Sequence, residues 1–309
     1  MPLDPRVKRF LDILAAGKPP DALTATVEAR RAGLSALMKF SGPAPEIELV
    51  EERRVPGAAG ELGVRLYAPN GSGLGAGMVY FHGGGLVAGN LDTHDVIARA
   101  LANSAGVRIV SVDYRLAPEH RFPAALEDAS AAVRYIGERA AEFGIDAERL
   151  GICGDSAGAT LAAATTQAAV REGGPRLKVQ LLLCPILDYS RITASKRELS
   201  TGYLVDQATL DHDLMHYLPQ GTDASNPRVS PLLAADLGGM PPTRIHTAEF
   251  DPLRDEGRSY FERLSDAGND VSYTCHPGMI HLFYGLGAVI PYARAAFEQI
   301  GGEIRAALA

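Results

Sequence analysis

Leu150-Gly151-Ile152-Cys153-Gly154-Asp155-Ser156-Ala157-Gly158 is the stretch on which the reading of this chain turns. Leu150 to Cys153 is a short apolar run suited to a strand buried on both faces, and Ala157 to Val170 continues as a helix of small residues. The G-x-S-x-G spacing between them demands a sharp turn, and small residues must flank the serine to let the chain double back. Such a turn lifts Ser156 Oγ to the top of a sheet, beside a helix N-terminus whose oriented N–H groups favour negative charge. A serine that merely caps a helix would also fit a bare G-x-S-x-G. The strand before it and the helix after it select the nucleophile.

The same rhythm extends outward in both directions. Met78 to Phe81, Arg108 to Val112 and Val179 to Cys184 read as buried strands, with helices at Ile97 to Leu101 and Ala124 to Ala140. After an interruption between Pro185 and about Pro242 come strand Arg244 to Ala248, helix Asp255 to Ser265, strand Val271 to Cys275 and a last helix from Pro291 to Ala307. Non-alternating strands separated by helices predict an α/β fold with a mostly parallel sheet covered on both faces. The interruption is polar and proline-rich, with one helical piece around Gln207 to Leu218, and suits a lid over a ligand crevice. The first forty-odd residues carry helical spacing at Val7, Phe10, Leu11 and Leu14, then at Leu34, Leu37 and Met38. From Glu46 the period changes to two, through Ile47, Leu49, Leu62, Val64 and Leu66, as in half-buried antiparallel edge strands. Gly71 to Gly77 imitates a dinucleotide fingerprint but precedes a strand instead of following one, so it reads as a turn.

Composition excludes several classes. At roughly 150 residues per domain, 309 residues make one large α/β domain or two ordinary ones. Thirty basic against 37 acidic residues leave a net charge of −7, which offers no basic footprint for nucleic acid or anionic lipid. Cys153, Cys184 and Cys275 have neither disulfide-framework nor zinc-site spacing. No run reaches the ~18 apolar residues of a membrane span; the nearest, Leu282 to Ala293, is shorter and holds a proline. The N-terminal stretch lacks a signal-peptide pattern, and without secretion the Asn70-Gly71-Ser72 sequon carries little weight, so a cytoplasmic enzyme is the expectation.

A nucleophilic serine needs a base, the base needs an orienting acid, and the intermediate needs an oxyanion hole. His82-Gly83-Gly84-Gly85 ends a strand, where glycines let successive N–H groups converge on one oxygen; Gly83 and Gly84 with Ala157 are the expected donors. Among eight histidines, His82 reads as a brace of its own loop, His94 and His120 precede the elbow, and His246 sits mid-strand. His212 and His216 lie four apart on the lid helix, where a solvated face outweighs a metal pair lacking a third ligand. Of the remaining two, His281 is preferred to His276, because Pro277 to Phe283 reads as a loop able to reach over the sheet. Asp251 stands at the carboxyl end of the preceding strand; Asp255, one turn later, is the alternative and has an easy role at a helix start.

These motifs together resemble the bacterial hormone-sensitive-lipase-like family of α/β-hydrolase esterases. The resemblance rests on His82-Gly83-Gly84-Gly85, on Val112-Asp113-Tyr114-Arg115-Leu116-Ala117-Pro118-Glu119 with Phe122-Pro123-Ala124-Ala125, on Gly154-Asp155-Ser156-Ala157-Gly158, on Asp251-Pro252-Leu253-Arg254-Asp255 and on His281. The order Ser156, Asp251, His281 is that of α/β-hydrolases. Ala159 departs from the pattern, where many relatives carry another glycine. The resemblance implies hydrolysis of short- to medium-chain carboxylic esters without cofactor or metal, and often homodimers paired through a late edge strand. It also implies a helical cap, giving an N-terminal cap segment at 1–45, a hydrolase core at 46–185, a cap insertion at 186–240 and the rest of the core at 241–309. Within Tyr114 to Glu119 it suggests a structural turn with an Arg–Glu contact. Charges in the insertion (Asp188, Arg191, Lys196, Arg197 and Glu198) disfavour a lipase working on long-chain droplets. A lactonase, amidase or arylformamidase would keep the same three residues. A binding protein on a disabled hydrolase scaffold would lack one of them.

Overall fold

The computed structural model describes residues 2–17, 22–69 and 73–309. The chain enters through α1 (Pro5–Ala16) and α2 (Val27–Leu37), capped by the side chains of Asp4 and Thr26, which accept the first free helical N–H groups. A hairpin of β1 (Leu49–Gly57) and β2 (Gly60–Ala68) follows. Then come β3 (Gly75–Phe81), α3 (Asp95–Ala105), β4 (Arg108–Asp113), α4 (Ala124–Glu138), β5 (Ile145–Asp155) and α5 (Ala157–Glu172). After β6 (Gln180–Leu183) two further helices, α6 (Ala194–Glu198) and α7 (Gln207–Tyr217), fall in the interruption. The chain closes with β7 (Thr243–Phe250), α8 (Arg254–Asp266), β8 (Val271–Ile280) and α9 (Tyr292–Ala307).

One eight-stranded sheet runs in the order β1-β2-β4-β3-β5-β6-β7-β8. The pairs β1–β2 and β2–β4 are antiparallel and every other pair is parallel, as the change of hydrophobic period predicts. Alternate residues of each buried strand serve opposite faces. Val79, Phe81, Val110 and Val112 pack with residues of α4, α5 and α8, whereas Met78, Tyr80 and Ile109 pack with residues of α3 and α9. The sequence therefore shows unbroken apolar runs.

Several details differ from the sequence expectations. Gly75 to Gly77 begins β3 instead of forming a turn, and Asn70 to Ser72 lies outside the described residues. The interruption holds α6 as well as α7, a five-residue helix too short to show a period. The strand expected to stop at Cys275 continues to Ile280, with a shift of register against β7 between Ala248 and Phe250. His281 is thus delivered by a bulged strand end, not by a free loop. Among the described residues no helix is long and apolar enough to cross a membrane.

Candidate active site

Strand β5 lies inside the sheet between β3 and β6, and its carboxyl end turns straight into α5. Ser156 sits at that turn with φ 53° and ψ −121°, a conformation disfavoured for a residue with a Cβ. The turn survives because its neighbours leave room for nothing else. A Cβ on Gly154 would strike the Gly158 carbonyl, and one on Gly158 would strike the carbonyl oxygens of Phe81 and His82. Gly158 thereby lets α5 press against the end of β3, from which the glycine loop departs.

The three residues singled out from sequence meet here. Asp251 follows β7, and its Oδ2 accepts from His281 Nδ1 at 2.8 Å, while its Oδ1 accepts from the Leu253 N–H at 2.8 Å. His281 Nε2 is 3.0 Å from Ser156 Oγ. With Nδ1 donating to the carboxylate, Nε2 is left to accept the serine proton. Asp251 and His281 are buried, and Ser156 opens on a cleft of about 280 Å³. Burial works against a charge on the imidazole, but the Asp251 carboxylate outweighs it and raises the His281 pKa above its ordinary value. Asp255, the alternative acid, instead accepts from the Ser195 N–H at 2.7 Å and anchors α6. His276 faces away, its rings' nitrogens 3.1 Å from His246 Nδ1 and from the Tyr292 hydroxyl.

The glycine loop needs a correction. Gly83 is not a free donor: its N–H is given to Asp155 Oδ1 at 3.0 Å. Gly84 (φ 121°) and Gly85 (φ 69°) follow in conformations that favour glycine, and both border the cleft with Ala157. Among the described residues no protein acceptor meets the N–H groups of Gly84, Gly85 or Ala157. Three consecutive glycines look alike in the sequence; only the Asp155 contact shows which N–H is committed.

Other residues in and around the site were not singled out from the sequence. Cys184, at the end of β6 with φ 42°, brings its Sγ within 4.8 Å of the donor atoms of Asp251 and His281. These three form the one candidate metal cluster among the described residues, yet Asp251 and His281 already use their facing atoms on each other. The position of Cys184 beside two strand ends that carry site residues was the available clue. Arg30 of α2 and Asp213 of α7 pair across the cleft at 2.8 Å. His212 is buried, not on a solvated face, with Nε2 3.1 Å from the Ala25 carbonyl and Nδ1 3.1 Å from Asp213 Oδ1. His216 Nδ1 meets the His212 carbonyl at 2.9 Å. The expected Arg115–Glu119 contact is absent: Arg115 pairs with buried Asp128 at 2.7 Å, and Glu119 reaches Arg31 of α2 at 2.7 Å.

A profile of the alpha/beta hydrolase fold matches residues 78–285. The chain is 41% identical over 304 residues to the carboxylesterase NlhH of Mycobacterium tuberculosis, covering 95% of this chain and 92% of that one. It is 38% identical over 306 residues to an ethyl acetate hydrolase of Pseudomonas putida, covering 95% of each. Among solved structures, the ester hydrolase EH1AB1 from the Lake Arreo metagenome superposes with a TM-score of 0.95 at 39% identity over 98% of both chains. A hyperthermophilic esterase from the archaeon Pyrobaculum calidifontis gives 0.94 at 36% identity over the whole of both. The chain belongs to the α/β-hydrolase family, in its hormone-sensitive-lipase-like branch, and is a carboxylic ester hydrolase.

Proposed function

We propose that the enzyme cleaves short- to medium-chain acyl esters through an acyl-enzyme on Ser156, with His281 as general base and acid and Asp251 as its orienting group. The observation that carries this reading is the unbroken hydrogen-bonded line Asp251–His281–Ser156 beside three N–H groups that meet no acceptor among the described residues. As Ser156 Oγ bonds to the ester carbonyl carbon, His281 Nε2 takes the serine proton and the carbonyl electron pair moves onto oxygen. Gly84, Gly85 and Ala157 hold that oxyanion; one such donor is typically worth roughly 100- to 1,000-fold in rate. His281 then gives its proton to the departing alcohol oxygen, and water attacks the acyl-enzyme by the same route. Asp251 keeps the imidazole in the required tautomer and stabilises the imidazolium.

The acyl-chain range is supported by the cleft. Its volume of about 280 Å³ and its apolar walls, which include Leu34, Leu37, Ile186, Leu204 and Leu210, suit a small acyl or alcohol group. We read 1–45 and 186–240 as the cap over this cleft, the rest as hydrolase core, and the setting as cytoplasmic. Pairing of two copies through the β8 edge belongs to the same reading, and light scattering on the purified chain tests it. The reaction consumes only ester and water and calls for no cofactor.

The experiment is hydrolysis of p-nitrophenyl esters from acetyl to dodecanoyl, with Ser156→Ala and His281→Ala alongside. Turnover that peaks at short or middle chains and collapses in both variants is expected. Turnover surviving in Ser156→Ala would remove the assigned nucleophile. A folded wild type inactive on every chain length would redirect the search to lactones and formamides.

A further inference from the structure

Asp155 is fully buried beneath the glycine loop, next to the place where the oxyanion grows, and the steps above give it no part. An anion there opposes growth of the oxyanion while favouring a charged His281, and its direct contacts are hydrogen bonds to the groups it holds. Its Oδ1 accepts from the Tyr80 hydroxyl at 2.5 Å and from the Gly83 N–H at 3.0 Å. A Cβ on Gly83 would collide with the same carboxylate, so the loop lies directly against it.

Other bonds fix the loop within itself, to the turn that follows β4, or to α2, where Arg31 Nε donates to the Val87 carbonyl at 2.9 Å. The Tyr114 hydroxyl donates to the His82 carbonyl at 2.6 Å, and His82 Nδ1 is 2.8 Å from the Gly83 carbonyl. The Val87 and Ala88 N–H groups donate to the Gly84 carbonyl. None of these bonds refers the loop to the serine. The Asp155–Gly83 bond does, because Asp155 is the residue immediately before Ser156 and two before Ala157. One carboxylate therefore sets Gly84 and Gly85 against the nucleophile and the third donor.

The second oxygen points elsewhere. Asp155 Oδ2 has no hydrogen-bond partner among the described residues, and His94 Nε2 lies 3.6 Å from it. The His94 ring is itself fixed through Nδ1, 2.9 Å from Thr93 Oγ1, at the start of α3. His94 is buried, and both it and Asp155 border the cleft.

We propose that Asp155 is the positioning residue of the oxyanion hole, clamping the Gly83 N–H to the nucleophile turn so that the Gly84 and Gly85 donors converge with Ala157. The inference rests on the serine-esterase reading given above. Asp155 touches no reacting atom, so its removal acts on the transition state and leaves substrate binding largely alone.

The test compares Asp155→Ala, Asp155→Asn and wild type on the best p-nitrophenyl ester. It also measures inhibition by a trifluoromethyl ketone of the same acyl length. That ketone adds to Ser156 Oγ, its carbonyl pair becoming an oxyanion and the serine proton passing to His281, so its affinity reads the hole directly. Asp155→Ala should lose about 100- to 1,000-fold in kcat with KM within about threefold, and a matching factor in ketone affinity. Asp155→Asn keeps an oxygen able to accept from Tyr80 and Gly83, and should stay within about tenfold of wild type. Should Asp155→Ala fail to fold, Asp155→Ser, whose side chain is too short to serve both donors, reads the same split. The clamp is overturned if folded Asp155→Ala or Asp155→Ser keeps its kcat, if the loss falls in KM, or if Asp155→Asn loses as much as Asp155→Ala. A wild type that the ketone does not inhibit, with turnover retained in Ser156→Ala, would count against the serine-esterase reading itself.

Discussion

Helices α5 and α7 both border the cleft, but they bury different chemistry. From Ala157 to Gln167 every residue of α5 is buried, and almost all are small or apolar. Helix α7 turns His212, Asp213 and Tyr217 inward and leaves Met215 58% exposed. The contrast holds beyond these two helices. Sheet and flanking helices pack through alternating apolar faces, whereas the segments over the cleft are held by a few directed polar contacts. The first kind of contact is spread over many residues and tolerates small errors of placement. The second depends on single atoms and fails when one partner is removed.

The largest effect expected lies on the sheet side. Asp251→Asn should keep the fold yet lower kcat by about 10⁴, because the amide no longer enforces the imidazole tautomer or balances the imidazolium. The pH profile sharpens this. In the wild type, burial opposes protonation of His281 while Asp251 and, less strongly, Asp155 favour it, with Arg30 acting against them. The balance raises the pKa, and since the base must be unprotonated, kcat/KM should fall on the acid side at a pH above the ordinary imidazole value. The residual activity of Asp251→Asn should show that limb displaced to lower pH. An unmoved limb would mean that another group titrates there.

Next in size comes the junction between insertion and core. Lys196 Nζ meets Glu256 Oε1 at 2.5 Å, both side chains being buried, and Glu256 Oε2 accepts from the Leu187 and Asp188 N–H groups. Lys196→Met strands the carboxylate and should cost about 3–5 kcal/mol at neutral pH, measured by urea denaturation. Burial raises the Glu256 pKa even with Lys196 opposing that shift. A group raised in the folded state contributes stability at low pH and loses it as pH rises, so the variant's deficit should shrink on acidification. Adding Glu256→Gln should recover part of the loss. A deficit independent of pH would assign it to packing rather than to the stranded charge.

The same division explains what could be read from the residues alone. Strands β3, β4, β5 and β6 were legible because burial on both faces writes an apolar run, and the elbow because steric exclusion leaves only glycine at 154 and 158. That Ser156, Asp251 and His281 would meet could be read from their order and their places at strand ends. The insertion resisted reading. Its charges were read as unsuited to an apolar lid, yet Asp188 and Lys196 are buried, and His212, expected on a solvated face, is turned inward among polar partners. Nothing local marks Arg30 as the partner of a residue 183 positions away. The commitment of the Gly83 N–H was hidden for the same reason, since it goes to a side chain 72 residues further on.

Arg30 and Asp213 offer the finest test of the comparison. Arg30 Nε lies 3.1 and 3.2 Å from the two Asp213 oxygens, and Nη2 lies 2.8 Å from Oδ2, a forked pairing that a lysine would not reproduce. The pair joins α2 to α7 across the cleft, and a Cβ on Gly85 would collide with the Asp213 carboxylate, so the tie rests on the glycine loop. Losing either partner should loosen the relation between the two helices without touching the sheet. Arg30→Gln and Asp213→Asn should therefore leave kcat on the shortest ester within about threefold, raise KM, and broaden the range of chain lengths accepted. A double-mutant cycle on KM should give a coupling of roughly 0.5–3 kcal/mol, since the two groups share one contact. Additive effects would mean that each side chain meets the substrate separately, and a fall in kcat alone would move the pair from the cap to the chemistry of the loop beneath it.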